Sequence, residues 1–298
     1  MPPARPHLPA PGRDASAGVA PDRAGSARGA PGRWTVTWAG ALGLLALLLL
    51  AGPCLAQAGP PPTLTELQAA FARLYQCPED HGLSTFSALI RSEQVTFTAN
   101  SLGLPPPALE LTYGGLEGFT VAYDRDTLLQ VEKGSLIADV ADAIANAAEG
   151  FFQAYETLAF RNLCTRLPAT PTISLTGTSL VVAYPDRAPG QTVQLTFDAE
   201  FRLLMLEAAD AASRSVQRLV PRWVRLGEKF VLVSIEVEFL QGGSSSFQTL
   251  FKVENEPCQG FLLPSRVTLC ARDGGMESSR NALIDFHVAS YSLGLKPR

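Results

Sequence analysis

The chain has little charge and few of the side chains that most often carry out chemistry. Charged residues make up 17% of its 298 residues, and only three residues are histidine. A composition this low in charge and this rich in aliphatic residues excludes an intrinsically disordered protein. The sequence has no phosphate-binding loop, HExxH pair or dinucleotide-binding glycine fingerprint. The Gly-Thr-Ser-Leu-Val segment at residues 177–181 lacks the final glycine of a nucleophile elbow.

The residues that remain for catalysis or metal binding are isolated from one another. His81 follows a Pro-Glu-Asp segment in a polar loop, and His287 alternates with apolar residues in a strand pattern. Glu236 and Glu238 share one face of a predicted strand, which is typical of a solvated surface. No CxxC pair that would bind zinc is present. We therefore expect no enzymatic activity, no metal site and no cofactor.

An apolar run near the N-terminus predicts export. Residues 42–50 are leucine-rich, five arginines precede them, and an Ala-Gln-Ala site follows at residues 56–58. This order is typical of a signal peptide, and the run is short for a bilayer span. We expect cleavage after Ala58, removal of residues 1–58, and a periplasmic or secreted protein. The first 33 residues are too rich in Pro, Ala, Gly and Arg to bury a core.

Two alternatives to cleavage remain open. The long preface is unusual for a signal peptide, so the segment is alternatively an uncleaved anchor in the inner membrane. Cys54 follows the apolar run and suggests lipidation, but Pro53 stands where a lipid-attachment motif has a small residue.

Residues 59–298 are long enough for one large domain, which is the organisation that we expect. Cleavage would remove five arginines and two aspartates from the 24 basic and 28 acidic residues, which gives a net charge of −7. An acidic protein of this kind is a poor ligand for polyanions, so we expect no nucleic-acid partner.

Four cysteines remain in residues 59–298 and predict two disulfides in an oxidising compartment. Cys77 and Cys164 each follow a predicted helix, and we favour their pairing. The other pair would be Cys258 with Cys270. A continuous strand would separate these two by roughly 40 Å, so their disulfide requires a turn near residues 263–265.

Apolar periodicity predicts an α+β fold. A Thr-Leu-Thr-Glu capping box begins a helix at residues 63–76, and residues 85–99 and 108–132 are typical of strands. A long amphipathic helix at residues 135–163, capped by Ser135, precedes a meander of antiparallel strands. The strand segments are residues 172–176, 179–184, 192–197, 201–208, 216–226, 230–240, 247–254, 263–272 and 282–290. The long helix is a candidate lid across the open sheet.

Several of these strands are apolar on both faces, and two interpretations compete. Either protein covers both faces as ordinary core, or the sheet surrounds a hollow that admits an apolar ligand. Aromatic residues of the long helix and of the strands are candidates to line such a cavity. They are Phe151, Phe152, Tyr155, Trp223, Phe230, Phe239, Phe251 and Phe261.

The C-terminal half resembles the periplasmic lipoprotein-sorting superfamily, the Lol-type lipoprotein carriers. Residues 192–198 followed by 201–206 are similar to the paired strands of that family around an Asp-containing turn. The Gly-Phe-Leu-Leu-Pro-Ser-Arg-Val segment at residues 260–267 is similar to its Gly-x-x-Leu-Pro-x-x-Val/Ile step, and the final strand ending in Tyr291 is similar to its closing strand. The resemblance implies an incomplete barrel under a helical lid. The cysteines and the long helix between them depart from the family pattern.

The function that we expect is therefore binding of a lipid or of lipoprotein acyl chains by an exported carrier or sensor. The alternative is an envelope assembly or regulatory protein that uses the same fold to bind a protein partner without a ligand.

Overall fold

The computed structural model describes residues 60–115, 118–186, 188–271 and 282–296. The predicted export signal at residues 1–58 lies outside these described residues. Helix α1, Leu64–Leu74, begins with the predicted capping box: the Thr63 hydroxyl accepts from the Glu66 N–H, and the Glu66 carboxylate accepts from the Thr63 N–H at 2.7 Å. Leu67, Phe71 and Leu74 form its buried face.

The segment after α1 differs in part from the prediction. Strand β1, Leu83–Arg91, is followed by helix α2, Glu93–Ser101, although residues 85–99 were expected to be one strand. Val95 and Ala99 bury one side of α2, so tertiary packing overrides the strand preference of its β-branched residues. Strands β2, Leu109–Tyr113, and β3, Phe119–Ala122, form as expected, and the short helix α3, Arg125–Leu129, follows them.

The long helix α4 spans Gly134–Tyr155. Its predicted cap at Ser135 is wrong, because the N-cap is Lys133, which has a left-handed φ of 64° and makes no side-chain cap bond. Gly134 is required at this start, since a Cβ there would lie 1.7 Å from the Leu128 carbonyl oxygen. After Tyr155 the chain continues as a π-helical turn, Glu156–Phe160, and then as a 3₁₀ turn, Leu163–Arg166. The long predicted helix therefore ends as irregular turns.

The predicted antiparallel meander is confirmed as part of one open sheet. The nine later strands are β4 Thr172–Thr176, β5 Ser179–Pro185, β6 Gln191–Phe197, β7 Leu203–Asp210, β8 Ser215–Leu226, β9 Lys229–Gln241, β10 Ser244–Cys258, β11 Phe261–Ala271 and β12 Ala282–Leu295. The twelve strands lie in the order β3-β2-β1-β12-β11-β10-β9-β8-β7-β6-β5-β4, and each neighbouring pair is antiparallel. Among the strands of the described residues, β3 and β4 are the free edges.

One face of the sheet packs on the helices and forms the core. Helix α1 contacts the start of β9 through Tyr75, whose backbone bridges to Phe230. The aromatic end of α4 contacts β3 and β10: the rings of Phe119 and Phe152 lie 5.0 Å apart, and those of Phe151 and Phe251 lie 5.7 Å apart. We call this the inner face of the sheet.

The predicted disulfides are not present. All four cysteines of the described residues are free, and no two lie at disulfide distance. Strand β11 is continuous through Pro264, so the turn that a Cys258–Cys270 bond requires does not form. In the hairpin register Cys258 pairs with Phe261 beside the β10–β11 turn, while Cys270 pairs with Leu250 near the other end of the hairpin, so the two cysteines lie far apart.

Within the described ranges, no helix combines the length and apolar character that a bilayer crossing demands.

Candidate ligand cleft

The face of α4 that looks toward the later strands is built from small residues. Ala143, Ala147, Gly150 and Ala154 recur at intervals of four, three and four, so they form one stripe along the helix. The bulky Phe151, Phe152 and Tyr155 project from another side and are buried in the core. The aromatic side chains therefore anchor the helix in the core. The stripe of alanine and glycine leaves open space between the helix and the later strands.

The opposite wall of this space comes from the inner face of six neighbouring strands, β7 to β12. The strand register places the wall residues in three cross-strand rows. These rows are Leu206-Leu219-Val237-Thr249, Gln217-Phe239-Phe247 and Phe251-Leu269-Ile284. Because every second residue of a strand points to the same face, the rows form a continuous and mainly apolar surface.

The small stripe and the rows border a half-open cleft with a volume of about 610 Å³. This volume falls within the range of small-molecule sites. From Ala143 to Thr157 the helix wall is about 21 Å long at 1.5 Å per residue. The bilayer half-thickness that one acyl chain spans is shorter, about 15 Å.

The polar side chains of the cleft are all uncharged. Of the seventeen described residues that line it, Asn146, Gln153, Thr157, Gln217 and Thr249 are polar and none is ionisable. The nearby charges lie on the outer face of the same strands, where the Arg218 guanidinium binds Glu207 at 2.7 Å and Glu238 at 3.5 Å. Strand alternation separates the two sets, since Gln217 and Arg218 are adjacent in sequence and point to opposite faces.

Two aromatic rings mark one end of the cleft. Phe239 and Phe247 lie on neighbouring strands with ring centroids 6.1 Å apart, and they are 38% and 53% exposed. They stand beside the β9–β10 turn, which contains Gly242 and Gly243 in left-handed conformations. A large apolar surface at the end of an apolar cleft is suited to the entry of an apolar ligand.

The structure separates the eight aromatics that were predicted to line a cavity. Phe239 and Phe251 line the cleft. Tyr155, Trp223 and Phe230 instead border a crevice of about 20 Å³, which has room for about one water molecule. Phe151, Phe152 and Phe261 are buried in the core. The prediction therefore identified the aromatic core around the cleft more than the cleft itself.

Sequence reasoning did not single out the residues that create the space. The intervals of four, three and four between Ala143, Ala147, Gly150 and Ala154 were the available signal, since they mark one helix face without bulk. The uncharged Gln217 and Thr249, which interrupt apolar strand faces, were the second signal.

A half-buried ion pair fixes the C-terminal end of the helical segment. The Arg161 side chain contacts Glu156 at 2.9 Å, donates to the Tyr113 hydroxyl and lies over the Tyr113 ring. Burial raises the pKa of the Glu156 carboxyl, and the Arg161 charge counteracts this rise. The pair ties the π-helical turn to strand β2 and so holds the helix wall of the cleft in position.

The comparisons with known proteins give no relative for this chain. No protein-family model matches it, and neither a curated protein nor a solved structure shows detectable similarity to it. The resemblance to the lipoprotein carriers therefore stays a prediction from sequence.

Proposed function

We propose that this protein binds an apolar ligand, a lipid or the acyl chain of a lipoprotein, in the cleft between α4 and the sheet, as a carrier or sensor. The observation that carries the proposal is the cleft: about 610 Å³ of space lined by small helix residues and by apolar strand residues. In this proposal the open sheet acts as an incomplete barrel and α4 as its lid. The ligand is bound without chemical conversion, and the protein works in the cell envelope after export.

Gly150 supports this proposal. A glycine in a helix interior costs about 0.5–1 kcal/mol relative to alanine, and such a residue often has a packing or functional reason. Packing does not require it here, because a Cβ built at Gly150 would have no atom within 4 Å. The missing side chain instead widens the cleft, which an acyl chain would then fill.

The direct test is lipid retention by protein purified without detergent. Native mass spectrometry and solvent extraction are expected to find a co-purified acyl lipid, and a fluorescent acyl probe is expected to bind and to be displaced by unlabelled lipid. The variants Ala147→Trp and Gly150→Leu fill the cleft and are expected to reduce probe binding at least about tenfold. Leu136→Trp is the matched control, because Leu136 is exposed on the same helix and does not line the cleft.

A folded protein without bound lipid, and with the same probe affinity in the cleft-filling variants as in Leu136→Trp, would contradict the proposal.

The second candidate function, binding of an envelope protein partner, is favoured by strand β4. This strand is a free edge of the sheet and is exposed at four of its five residues. Exposed edges offer unpaired backbone groups to another strand. A partner that co-purifies with the wild type and is lost when Ser174→Pro interrupts β4, with probe binding unchanged, would support this function.

A further inference from the structure

We infer that the cleft selects ligands whose buried polar part is uncharged, such as an acyl ester or an acyl amide, over ligands that bring a free carboxylate or phosphate inside. This inference rests on the proposed function and names the chemical class of its ligand. The inference is based on two observations: the polar residues of the cleft are all uncharged, and they occur on both the helix wall and the strand wall.

Carboxamides occur on both walls of the cleft. Asn146 and Gln153 lie two turns apart on α4 at the exposed rim of the cleft, and the half-buried Gln217 lies on β8 in the row with Phe239. Each carboxamide offers both N–H donors and a carbonyl acceptor. Within the described part of the chain, these three side chains make no hydrogen bond to protein groups, so their donors are available to the carbonyl oxygen of an ester or amide.

The hydroxyls of the cleft extend the same chemistry. Thr249 pairs with Val237 on the neighbouring strand and is only 7% exposed. Thr157 lies one turn beyond Gln153, in the π-helical turn that follows α4. The Thr249 hydroxyl can donate one hydrogen bond and accept others, as a carboxamide does, whereas the Thr157 hydroxyl already donates to the Gln153 backbone carbonyl at 3.1 Å and offers only acceptor lone pairs. The polar groups of the cleft therefore match a neutral linkage that carries both donors and acceptors.

A buried anion would have no cation to compensate it. None of the seventeen described lining residues is basic, and the nearest arginine on β8, Arg218, points to the outer face where Glu207 and Glu238 neutralise it. Transfer of an ionised carboxylate to an apolar environment without a partner is strongly unfavourable. A neutral ester of the same chain length loses only its hydrogen bonds to water, which the half-buried Gln217 and the buried Thr249 replace.

The experiment compares two palmitoyl ligands that differ in charge. Monopalmitoylglycerol and palmitate compete for a fluorescent acyl probe on the delipidated full chain at neutral pH. The ester is expected to bind more than about tenfold more tightly, which corresponds to about 1.4 kcal/mol. The affinity for palmitate is expected to rise as the pH falls and the free acid becomes neutral, while the affinity for the ester stays constant.

Variants of the carboxamides provide the second readout. Gln217→Lys places an ammonium in the cleft and is expected to reverse the preference, so that palmitate binds more tightly than the ester. Gln217→Met keeps the side-chain size, and it is expected to lower the affinity for the ester without raising the affinity for palmitate. Because Gln153 is exposed on the helix, Gln153→Lys repeats the reversal at a site that tolerates the change without unfolding.

The outcomes separate the two proposals. Equal or tighter binding of palmitate by the wild type would overturn the ligand class and leave the proposed function in place. If no acyl probe binds the delipidated chain, the proposed function fails and the ligand class fails with it. If the probe binds and neither palmitoyl ligand displaces it, the ligand class is overturned while the proposed function keeps the support of probe binding.

Discussion

The Glu149 carboxylate on α4 accepts a hydrogen bond from the backbone N–H of Val121 at 3.0 Å. Val121 lies on β3, an edge of the twelve-stranded sheet, and a second carboxylate on the same helical segment, Glu156, lies next to Gly118 at the start of that strand, where a Cβ would be 2.9 Å from its oxygen. Alternate N–H groups of an edge strand point away from the sheet and need partners. The helix therefore covers this edge with two carboxylates.

Removal of the Glu149 carboxylate is expected to destabilise the protein. Glu149→Ala leaves the Val121 N–H without its charged acceptor, and hydrogen bonds to charged groups contribute about 1.5–3 kcal/mol to stability. We expect the free energy of unfolding, measured with urea, to fall by about 1.5 kcal/mol, at the low end of this range because Glu149 is only half-buried. Glu149→Gln keeps an acceptor and is expected to lose less. Asp139→Ala, on the exposed surface of the same helix, is the control, and an equal loss in that variant would contradict the assignment.

The two glycines of α4 are expected to respond to alanine with opposite signs. Gly150→Ala meets no atom within 4 Å and removes a flexible residue from the helix interior, so it is expected to raise stability by about 0.5–1 kcal/mol. Gly134→Ala would bring a Cβ to 1.7 Å from the Leu128 carbonyl and is expected to lower the melting temperature. Thermal unfolding of both variants measures this difference. A stability change of the same sign at both positions would show that the space beside Gly150 is closed in solution.

The Tyr75 hydroxyl is expected to contribute strongly to stability. It donates to the Phe201 carbonyl at 3.1 Å and accepts from the Leu203 N–H at 2.6 Å, and it lies in the core. Tyr75→Phe keeps the ring but leaves the buried Leu203 N–H unpaired, which costs about 1–3 kcal/mol. Urea unfolding measures the loss. Tyr184→Phe is the control at a half-buried tyrosine on β5, and we expect a change within about 0.5 kcal/mol there.

Acid is expected to weaken the outer face of the sheet at Asp285. The Arg266 guanidinium binds both oxygens of this carboxylate and holds its pKa below the usual value. A carboxyl group whose pKa is lower in the folded protein than in the unfolded chain stabilises the fold at pH values above its unfolded pKa. This stabilisation is lost as the pH falls through the pKa of the folded state. Asp285→Asn is therefore expected to be less stable than wild type at neutral pH and equally stable in acid. Melting temperatures between pH 7 and about pH 3 test this, the unfolded value being about 3.9. A constant difference across that range would contradict it.

The four cysteines of the described residues are expected to react as free thiols at different rates. Burial raises the pKa of the Cys77 thiol to about 12 and also raises that of Cys164, so neither forms the reactive thiolate at neutral pH. Cys258 is half-buried and is expected to alkylate first, with the buried Cys77, Cys164 and Cys270 following only in denaturant. Mass spectrometry of protein purified without reductant measures the order in which the cysteines are alkylated. A mass four hydrogens lower and no labelling in denaturant would instead establish two disulfides.

Local signals made several elements of the fold predictable. The capping box at Thr63 defined the start of α1, and alternation of apolar residues defined the meander from β4 to β12 with errors of a few residues at the ends. Helix α2 was not predictable in this way, because Val95, Thr96 and Thr98 favour a strand. Its helical form depends on burial of Val95 and Ala99 against the rest of the chain, which is information that no short window of sequence contains.

The candidate site was less predictable than the fold for a physical reason. Sequence indicates which faces are apolar, but it does not indicate which apolar faces are filled. Large aromatics such as Phe151 and Phe152 fill the core, and the open volume arises beside Ala147 and Gly150, where side chains are small. The two lining aromatics that were predicted, Phe239 and Phe251, are those whose strand positions face this gap.

The unequal edges of the sheet limit how copies of this protein can associate. Glu149 and Glu156 cover β3, while β4 at the other edge is exposed. Growth of a fibre by strand addition requires two available edges on every copy, one to receive and one to offer. A chain with a single available edge pairs once, β4 against β4, and a dimer formed in this way has no edge left for a third copy. The helix that forms one wall of the cleft thus also protects the protein against edge-to-edge polymerisation.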